Sequence, residues 1–413
     1  MNIFIPHCSG LLTDEVAHGD GLVAYGFIKR LAERGHRLYV AAEKVELAKP
    51  LHPNVTIFPI RARRANSALN RIEYMLQVRS LFKGLQERIQ FNIVHQLNPV
   101  YTGVSLALWG SKIPLVLGPY VADWPHDPHA MAARAGLRTL LRQLKNLVAF
   151  AQQRQAYALL LTTEAARQRV IGGDRRQAPI HFLPHGVDSD FFSPATSQRS
   201  GIANDTESPV ILFYANISER KGIFDLLQAF EMVAKRFSEV QLWVAGAGEA
   251  LASAKDAASQ LMSRRRIHFL GAQNHQQALD LLRKADIYCL PSHGEPFGMT
   301  VAEAMSCGLP VVVTDGGGLG CIVDDNGGYR VPVRKPRLLA DALSLLLDHP
   351  DNRAAMGAYN RSKVLATLTW NKVIDGLQEV YRAVLREQEN TRGQTEARSN
   401  SWIDTLPKRG ERV

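Results

Sequence analysis

The chain of 413 residues has few cysteines and no long apolar run. Its cysteines are Cys8, Cys289, Cys307 and Cys321, and they lack the CxxC spacing of a metal site. Reduced thiols in the cytoplasm are the simplest interpretation. No apolar stretch reaches the ~18 residues that a membrane-spanning helix requires, and the start MNIFIPHCSG does not predict a signal peptide. We therefore expect a cytoplasmic protein, with any membrane contact peripheral at the inner face.

Acidic residues are outnumbered by basic ones, and the formal net charge is +10. Much of the excess lies in residues 61–71 and 134–154. A basic chain favours anionic partners such as nucleotides, nucleic acid or an anionic membrane surface. No aromatic interleaving or nucleic-acid motif accompanies these residues, so nucleic acid is not an expected partner. The basic stretches are interpreted as solvated faces or, alternatively, as a patch that faces an anionic membrane.

Hydrophobic residues make up 46% of the chain, which is enough for two cores. Short apolar runs such as NIFIP, RLYVAA and VILFYA alternate with helical patterns, among them a long basic helix over about residues 130–160. Strands separated by helices predict an α/β fold with two doubly wound, Rossmann-like domains. Such domains enclose a cleft between the carboxyl ends of their sheets, where ligands of this architecture bind.

Residues 193–209 are rich in Ser, Thr, Asn and Pro, and this composition predicts a linker. The linker separates an N-terminal domain of residues 1–192 from a C-terminal domain of residues 210–369. The amphipathic stretch 370–389 predicts a last helix that joins the N-terminal domain. Residues 390–413 are polar and charged, which predicts a disordered tail.

The most informative segment is DIYCLPSHGEPFGMTVAEAMSCGLPVVVTDGGG, residues 286–318. It predicts a buried strand, a glycine-bearing loop, a short helix ended by Gly308 and a further strand. A loop that enters a helix offers free N–H groups and a positive dipole end, which suit a pyrophosphate. Glu295 in the loop and Glu303 in the helix can accept hydrogen bonds from two sugars. Alternatively, Glu303 caps or pairs locally and the glycines merely shape a turn.

Two adjacent cations, Arg220 and Lys221, follow the strand VILFYA and precede a helix that begins near Ile223. In that position they can neutralise a diphosphate leaving group. An isolated pair of this kind is more often a solvated turn, so the location between a strand and a helix is what favours the functional interpretation.

The sequence around residues 286–318 resembles the donor-site signature of glycosyltransferase family 4, whose members are retaining enzymes of GT-B fold. The resemblance covers nearly the whole chain, since NISERKGI, FLPHGVDSDFFSP and VQLWVAGAGE match further family segments. His185 stands where the family usually has asparagine. The residues that match the signature itself are Pro291, Ser292, Glu295, Phe297, Gly298, Glu303, Ala304, Gly308, Pro310 and Val311.

The resemblance implies a role for each matched residue. Glu295 would contact the donor hexose while Arg220 and Lys221 stabilise the diphosphate, which makes these three the candidate catalytic residues. Glu303 would hold the nucleotide ribose. The resemblance also implies donor-binding roles for Phe297, Gly298, Met299 and Thr300 at the helix start, for Gly246 and Gly271 near the donor and its base, and for Gly19 and Gly21 across the cleft.

The sequence departs from the family on the acceptor side. The strand PLVLGPY lacks the histidine that relatives often have at its end, and the G-G-x-x-E motif is altered after residue 318. His95, at the end of the strand in NIVHQL, is consistent either with a structural histidine or with an acceptor contact. Further candidates for the acceptor side are Asp123, Trp124, His126 and His129.

We therefore expect a retaining hexosyltransferase that moves a hexose from a UDP- or GDP-sugar to a hydroxyl of a glycan, lipid-linked or small-molecule acceptor, in polysaccharide or glycolipid synthesis. The family implies front-face substitution with no metal or other cofactor. The alternatives are a sugar-nucleotide epimerase or phosphorylase of similar fold, and a non-catalytic nucleotide-sugar-binding protein. An oxidoreductase is less favoured because the first strand lacks a following G-x-G-x-x-G loop.

Overall fold

The computed structural model describes residues 1–14, 19–60, 68–98, 103–121, 135–172, 178–195 and 208–404. Within these ranges the chain forms two α/β domains, each built on a parallel sheet. Most of the predicted linker, residues 196–207, lies outside the described part of the chain.

The first domain is built on a parallel sheet whose strands are β1 (Asn2–Ile5), β3 (Arg37–Ala42), β5 (Val55–Pro59), β6 (Ile93–Gln96), β7 (Leu115–Tyr120), β8 (Ala158–Leu161) and β9 (Ile180–Phe182). Among the described residues their order across the sheet is β5-β3-β1-β6-β7-β8-β9. Two short strands, β2 (Leu12–Thr13) and β4 (Val45–Glu46), pair separately. The helices are α1 (Gly19–Glu33), α2 (Ala68–Gln86) and α3 (Ala135–Gln155).

Alternate side chains of the central strand β1 are buried in two different cores, as the two-residue period of a strand requires. Ile3 and Ile5 pack in a cluster with residues of α1 and of the last helix, α11 (Trp370–Asp404). Phe4 points to the other face and packs against Phe82 and Phe91. Because both faces are covered, strands of this kind are nearly continuous apolar runs in sequence.

The second domain has the strands β10 (Val210–Tyr214), β11 (Gln241–Ala245), β12 (Ile267–Gly271), β13 (Ile287–Leu290), β14 (Val311–Thr314) and β15 (Gly328–Val331). In the described ranges their order is β12-β11-β10-β13-β14-β15, so the direction of winding reverses between β10 and β13. The helices are α4 (Ile223–Arg236), α5 (Leu251–Ser259), α6 (His275–Lys284), α7 (Met299–Ser306), α8 (Leu319–Ile322), α9 (Pro336–Asp348) and α10 (Pro350–Thr367).

The chain passes between the domains twice, and the two crossings contact each other. Val187 in the first crossing forms an isolated parallel bridge with Thr369 in the second. The Val187 N–H donates to the Leu368 carbonyl oxygen at 2.8 Å. The second crossing leads into α11, whose residues Val373 and Leu377 pack in the core of the first domain.

Trp370, the first residue of α11, anchors this helix to the first domain. Its ring packs edge-on against Phe27 of α1, with ring centroids 5.2 Å apart. A Cβ added at Gly26 or at Gly186 would overlap the Trp370 ring. Glycine is therefore required at both positions for the indole to reach its place.

The predicted helix over residues 130–160 is wrong at its end. Helix α3 ends at Gln155, and the chain then forms β8. All four residues of β8 are buried, and a short apolar run of this kind cannot be assigned to helix or strand by periodicity alone. Strand β15 likewise has no counterpart among the predicted strands.

The structure also differs from the expected disordered tail over residues 390–413. Helix α11 continues to Asp404, well past the predicted end at Glu389. This stretch is rich in Glu, Gln, Arg and Ala, which are good helix formers, so polarity alone does not end the helix. Residues 405–413 lie outside the described part of the chain.

Candidate functional site

Three turns meet at the carboxyl edge of the second sheet, where the winding reverses. The turn after β10 carries Arg220 and Lys221 in one turn of 3-10 helix. The loop after β13 carries Glu295, and the turn after β14 contains Gly317. Parallel strands bring their carboxyl ends to one edge, and ligands of doubly wound sheets bind at such a switch point.

An ion pair joins the first two turns. The Lys221 ammonium donates to the Glu295 carboxylate, and the two side chains are only 12% and 9% exposed. The Arg220 guanidinium donates to the Gly294 carbonyl oxygen at 3.4 Å. Burial lowers the pKa of Arg220, while the carboxylates of Glu295 and Glu249 act in the opposite direction. Two cations and a carboxylate therefore lie side by side in a largely desolvated site.

Close backbone contacts hold these turns together. Gly222 has a left-handed φ of 77°, and a Cβ there would overlap the Pro291 carbonyl oxygen. Gly317, with φ 73°, forms a bridge with Glu295, and the Gly318 N–H donates to the Glu295 carbonyl oxygen at 2.6 Å. Positions 222 and 317 combine positive φ with a lack of space, so a larger residue at either would push the turns apart.

Glu303 lies in α7 just beyond the loop, and it is partly buried. Burial raises the pKa of its carboxyl to about 8. Its electrostatic neighbours include the phenols of Tyr214 and Tyr288 and the thiol of Cys307. In the part of the chain that the structure describes, the Glu303 carboxylate has no hydrogen-bond or ion-pair partner. The local pairing that the sequence left open is thus not observed, and the carboxylate can accept from a ligand.

The start of α7 follows Gly298, which has a left-handed φ of 94°. The Phe297 ring is buried against His185, with ring centroids 4.9 Å apart, so this side chain supports the loop. The Tyr288 O–H donates to the Tyr214 carbonyl oxygen at 2.8 Å, so the Thr300 hydroxyl donates to the Tyr288 oxygen at 2.7 Å. Met299 packs against the core of the second domain. The backbone N–H groups of residues 297–300 remain the predicted contacts with a diphosphate, since the first N–H groups of a helix lack partners within it.

The four other predicted glycines lie on both sides of the cleft. Gly246 follows β11 and Gly271 ends β12, and the Gly246 N–H donates to the Gly271 carbonyl oxygen at 2.7 Å. In the first domain, Gly19 begins α1 and Gly21 is buried in its first turn. Their contacts with a donor remain predictions.

His95 is fully buried at the end of β6. Its Nε2–H donates to the Gly118 carbonyl oxygen at 2.9 Å, because a carbonyl only accepts. Nδ1 therefore accepts from the Tyr381 O–H at 2.6 Å. Burial lowers the pKa of His95 to about 4, so the ring is neutral at physiological pH. With both nitrogens bonded within the core, the structural interpretation fits and an acceptor contact does not. The other acceptor candidates lie outside the described residues: Asp123, Trp124, His126 and His129.

Two side chains at the edge of the site are not predicted by the sequence analysis. His293 Nε2 lies 2.8 Å from Asp225 Oδ2. His293 belongs to the same loop as Glu295, and Asp225 lies in the first turn of α4. The sequence shows a histidine within SHGEPFG, and this is the one signal for a role of His293. Its partner, Asp225, cannot be identified from sequence, because the contact depends on how α4 packs beside the loop.

Two cavities flank this region. One of about 350 Å³ adjoins the site and is lined by Glu219, Gly222, Phe224, Asp225, His293 and Arg334. The other, also of about 350 Å³, lies between the domains, and its lining includes Thr163, Phe182, Cys321 and Lys363. Neither cavity is lined by a residue predicted to bind a donor. The first, however, is lined by Gly222 and His293, which neighbour Lys221 and Glu295, so the carboxyl edge of the second sheet remains the candidate site.

The described residues contain no group of three or more histidine, cysteine or acidic side chains arranged to hold a metal ion. In those same ranges no helix has both the length and the apolar character that crossing a membrane demands.

Two family models match the chain, one over each domain. The model described as Glycosyltransferase Family 4 matches residues 19–191. The model described as Glycosyl transferases group 1 matches residues 195–363, which include Arg220, Lys221, Glu295 and Glu303. The chain therefore belongs to the family 4 glycosyltransferases.

Curated relatives carry names from inositol lipid and inositol phosphate chemistry. A D-inositol 3-phosphate glycosyltransferase of Xylanimonas cellulosilytica is 33% identical over 226 residues, which are 52% of this chain and 53% of that protein. The chain thus spans about half the length of that relative. A phosphatidyl-myo-inositol mannosyltransferase of Mycobacterium leprae is 26% identical over 358 residues, 83% of this chain and 88% of that protein.

Solved structures confirm the predicted GT-B fold. Sucrose-phosphate synthase from Thermosynechococcus elongatus has a TM-score of 0.72 at 19% identity, covering 94% of this chain and 99% of that chain. The Anabaena protein HepE, in complex with UDP-glucose, has a TM-score of 0.67 at 19% identity. The match covers 93% of this chain and 99% of the HepE chain.

Proposed function

We propose that this protein is a retaining hexosyltransferase that uses a nucleotide-diphosphate sugar as its donor. The observation that carries the proposal is the buried cluster of Arg220, Lys221 and Glu295 at the switch point, with the unpaired carboxylate of Glu303 nearby. The names of the relatives support glycosyl transfer, and the complex of HepE with UDP-glucose supports a nucleotide sugar.

The two cations would bind and stabilise the diphosphate. Arg220 offers a planar guanidinium, Lys221 offers an ammonium, and the first N–H groups of α7 add further donors. Fixed positive charge stabilises the charge that develops on a leaving group, because little reorganisation is then needed. Lys221 is held by Glu295, so its ammonium is oriented before a donor binds.

The two carboxylates would bind the two sugars of the donor. Glu303 would accept from the ribose diol and Glu295 from the hexose, in charge-assisted bonds of roughly 1.5–3 kcal/mol each. Because Glu295 is paired with Lys221, we assign it to orienting the hexose and not to nucleophilic attack. This assignment is consistent with front-face substitution, in which the leaving phosphate helps to deprotonate the acceptor.

The proposed acceptor is a hydroxyl of a glycan, a lipid-linked molecule or a small molecule. The relatives support this range, since one is named for inositol 3-phosphate and another for phosphatidylinositol, a lipid. Asp123, Trp124 and His126 remain the proposed acceptor residues. The pathway would be polysaccharide or glycolipid synthesis.

A donor hydrolysis screen tests the proposal. Many transferases slowly hydrolyse their own donor, so we expect release of nucleoside diphosphate from at least one UDP- or GDP-hexose. Arg220→Ala should lower that rate by about 10²-fold, the usual effect of removing one electrostatic contact to the transition state. Arg236→Ala is a matched control, because Arg236 pairs with Asp348 at 2.7 Å elsewhere in the same domain. Folded protein that releases no diphosphate from any donor, with or without an inositol acceptor, would contradict the proposal.

We also propose that the first domain rests on an anionic membrane surface. Leu144, Leu147 and Val148 of α3 are exposed, Leu147 to 63%, although a globular fold usually buries such residues. Ile72 and Leu76 of the neighbouring helix α2 are exposed as well. Met75 of α2 and Val148 of α3 both lie near Gly103, so the two helices approach each other there. Apolar side chains beside cations such as Lys145 suit the interface of an anionic bilayer.

Vesicle flotation tests the membrane contact. The protein should float with vesicles that contain anionic lipid and remain unbound with neutral ones. Replacing Leu144 and Leu147 by serine should abolish flotation, whereas Leu338→Ser, which alters an exposed leucine of the second domain, should not. Equal flotation with neutral vesicles, or none with either kind, would count against the contact.

A further inference from the structure

The loop that carries Glu295 is bonded to the turn that carries Arg220 through its backbone. The His293 N–H donates to the Arg220 carbonyl oxygen at 2.8 Å, and the Ser292 hydroxyl donates to the same oxygen at 3.2 Å. In the opposite direction, the Arg220 guanidinium donates to the Gly294 carbonyl oxygen. These contacts join the loop to the turn that leads into α4, and none of them involves the His293 side chain.

The contact between His293 and Asp225 adds a side-chain bond from the loop to α4 itself. His293 Nε2–H donates to Asp225 Oδ2 at 2.8 Å, and the two side chains are 13% and 17% exposed. Asp225 lies in the first turn of α4, where the helix dipole favours a carboxylate. Helix α4 is itself held by the buried side chains of Ile223 and Leu226. The imidazole thus ties the loop to a helix of the domain core.

We propose that His293 is a positioning residue: bonded to Asp225, it sets the place of Glu295 relative to Lys221. The inference rests on the proposed transferase function. His293 stands two residues before Glu295, so a shift of the imidazole moves the peptide that carries the carboxylate. A misplacement of about 1 Å at a reacting centre can lower a rate by about 10²-fold.

The loop has other anchors that should survive the loss of this bond. The Thr314 hydroxyl donates to the Ser292 carbonyl oxygen, and the Gly318 N–H donates to the carbonyl oxygen of Glu295. Removing the imidazole should therefore loosen the loop without unfolding it. Glu303 lies in α7, beyond the loop, so the binding of a nucleoside diphosphate should depend little on His293. Turnover of the complete donor should depend on it strongly, because only the complete donor carries the hexose.

The test separates kcat from nucleotide affinity. His293→Ala and Asp225→Ala remove the bond, whereas His293→Gln keeps an N–H donor and Asp225→Asn keeps an acceptor oxygen. We expect each alanine variant to lower kcat for donor hydrolysis by about 10-fold or more while the Kd for UDP or GDP stays within about twofold. The two conservative variants should recover most of the activity. The double alanine variant should be no slower than either single one, because both remove the same bond.

The matched control is His36→Ala in the first domain. His36 Nε2 accepts from the Gln378 amide at 2.8 Å, and its Nδ1 lies 3.4 Å from the terminal amine of Met1, so this variant also loses an imidazole and its side-chain contacts. It should retain the wild-type kcat. If the wild type hydrolyses its donor and His293→Ala does so equally fast, the inference is wrong while the proposed function stands. If His293→Gln is as slow as His293→Ala, or if affinity for the nucleotide falls together with kcat, His293 only supports the fold. A wild type without turnover on any donor would overturn the proposed function itself.

Discussion

Glu303 allows the donor site to be tested by pH. Burial raises the pKa of Glu303 to about 8, so at pH 7 most of the unliganded protein has a neutral carboxyl there. A ribose diol donates best to the ionised form, because both oxygens then accept and both bonds are charge-assisted. Donor binding should therefore tighten as the pH rises towards 8 and level off above it.

The size of the effect follows from the pKa. If only the ionised form bound the diol, the affinity would change by roughly 80-fold between pH 6 and pH 8.5, because each pH unit below the pKa costs about tenfold. A neutral carboxyl still accepts through its carbonyl oxygen, and Glu303 is only partly buried. We therefore expect about 10-fold over this range.

Calorimetric titration with the donor from the hydrolysis screen measures the pH profile. Glu303→Gln keeps the shape but cannot titrate, so its profile should be flat, and its Kd at pH 8.5 should be about 10-fold weaker than that of the wild type. A 2′,3′-dideoxy donor should bind the wild type poorly and the variant no worse. The reasoning is refuted if both proteins lose affinity in parallel as the pH falls, or if the mutation and the missing hydroxyls weaken binding additively.

The remaining predictions concern stability and reactivity. The folded protein binds a proton at Glu303 more tightly than the unfolded chain does, so the free energy of unfolding should fall as the pH rises from about 4.5 to about 8. Denaturant titrations should show that the free energy of unfolding of Glu303→Gln falls less over this pH range than that of the wild type. Tyr381→Phe leaves Nδ1 of the buried His95 unpaired and should destabilise the fold by about 1–3 kcal/mol in the same assay. A thiol reagent should label Cys321 alone in the native protein, since the other cysteines are buried, and labelling of a second thiol would contradict this.

The placement of the candidate donor residues at one edge of the sheet could be predicted from sequence, because these residues follow recognisable strands. Arg220 and Glu295 each come shortly after a buried apolar run, and parallel strands bring such positions to one edge. The pattern thus indicates which edge a residue occupies. It does not indicate which side chains pair there, so the contact between Lys221 and Glu295 had to be seen in the structure.

Residues whose partners are distant in sequence could not be assigned in the same way. His95 lies at a strand end like the donor residues, yet its hydroxyl partner, Tyr381, is 286 positions away on the last helix. The partner of Asp225 could not be predicted either, because its distance from His293 depends on how α4 packs against the loop. Strand β8 was missed for a local reason, since four apolar residues after a helix suit either kind of element.

The return of α11 to the first domain means that the two folded units do not correspond to two halves of the sequence. Val373, Leu377 and Tyr381 of this helix belong to the core of the first domain. In the order of the chain, the second domain therefore lies between two segments of the first. A chimaera that exchanged everything after residue 192 would bring a foreign helix into that core. Exchange of residues 210–369 alone would keep the native helix on its own domain and would move Arg220, Lys221, Glu295 and Glu303 together.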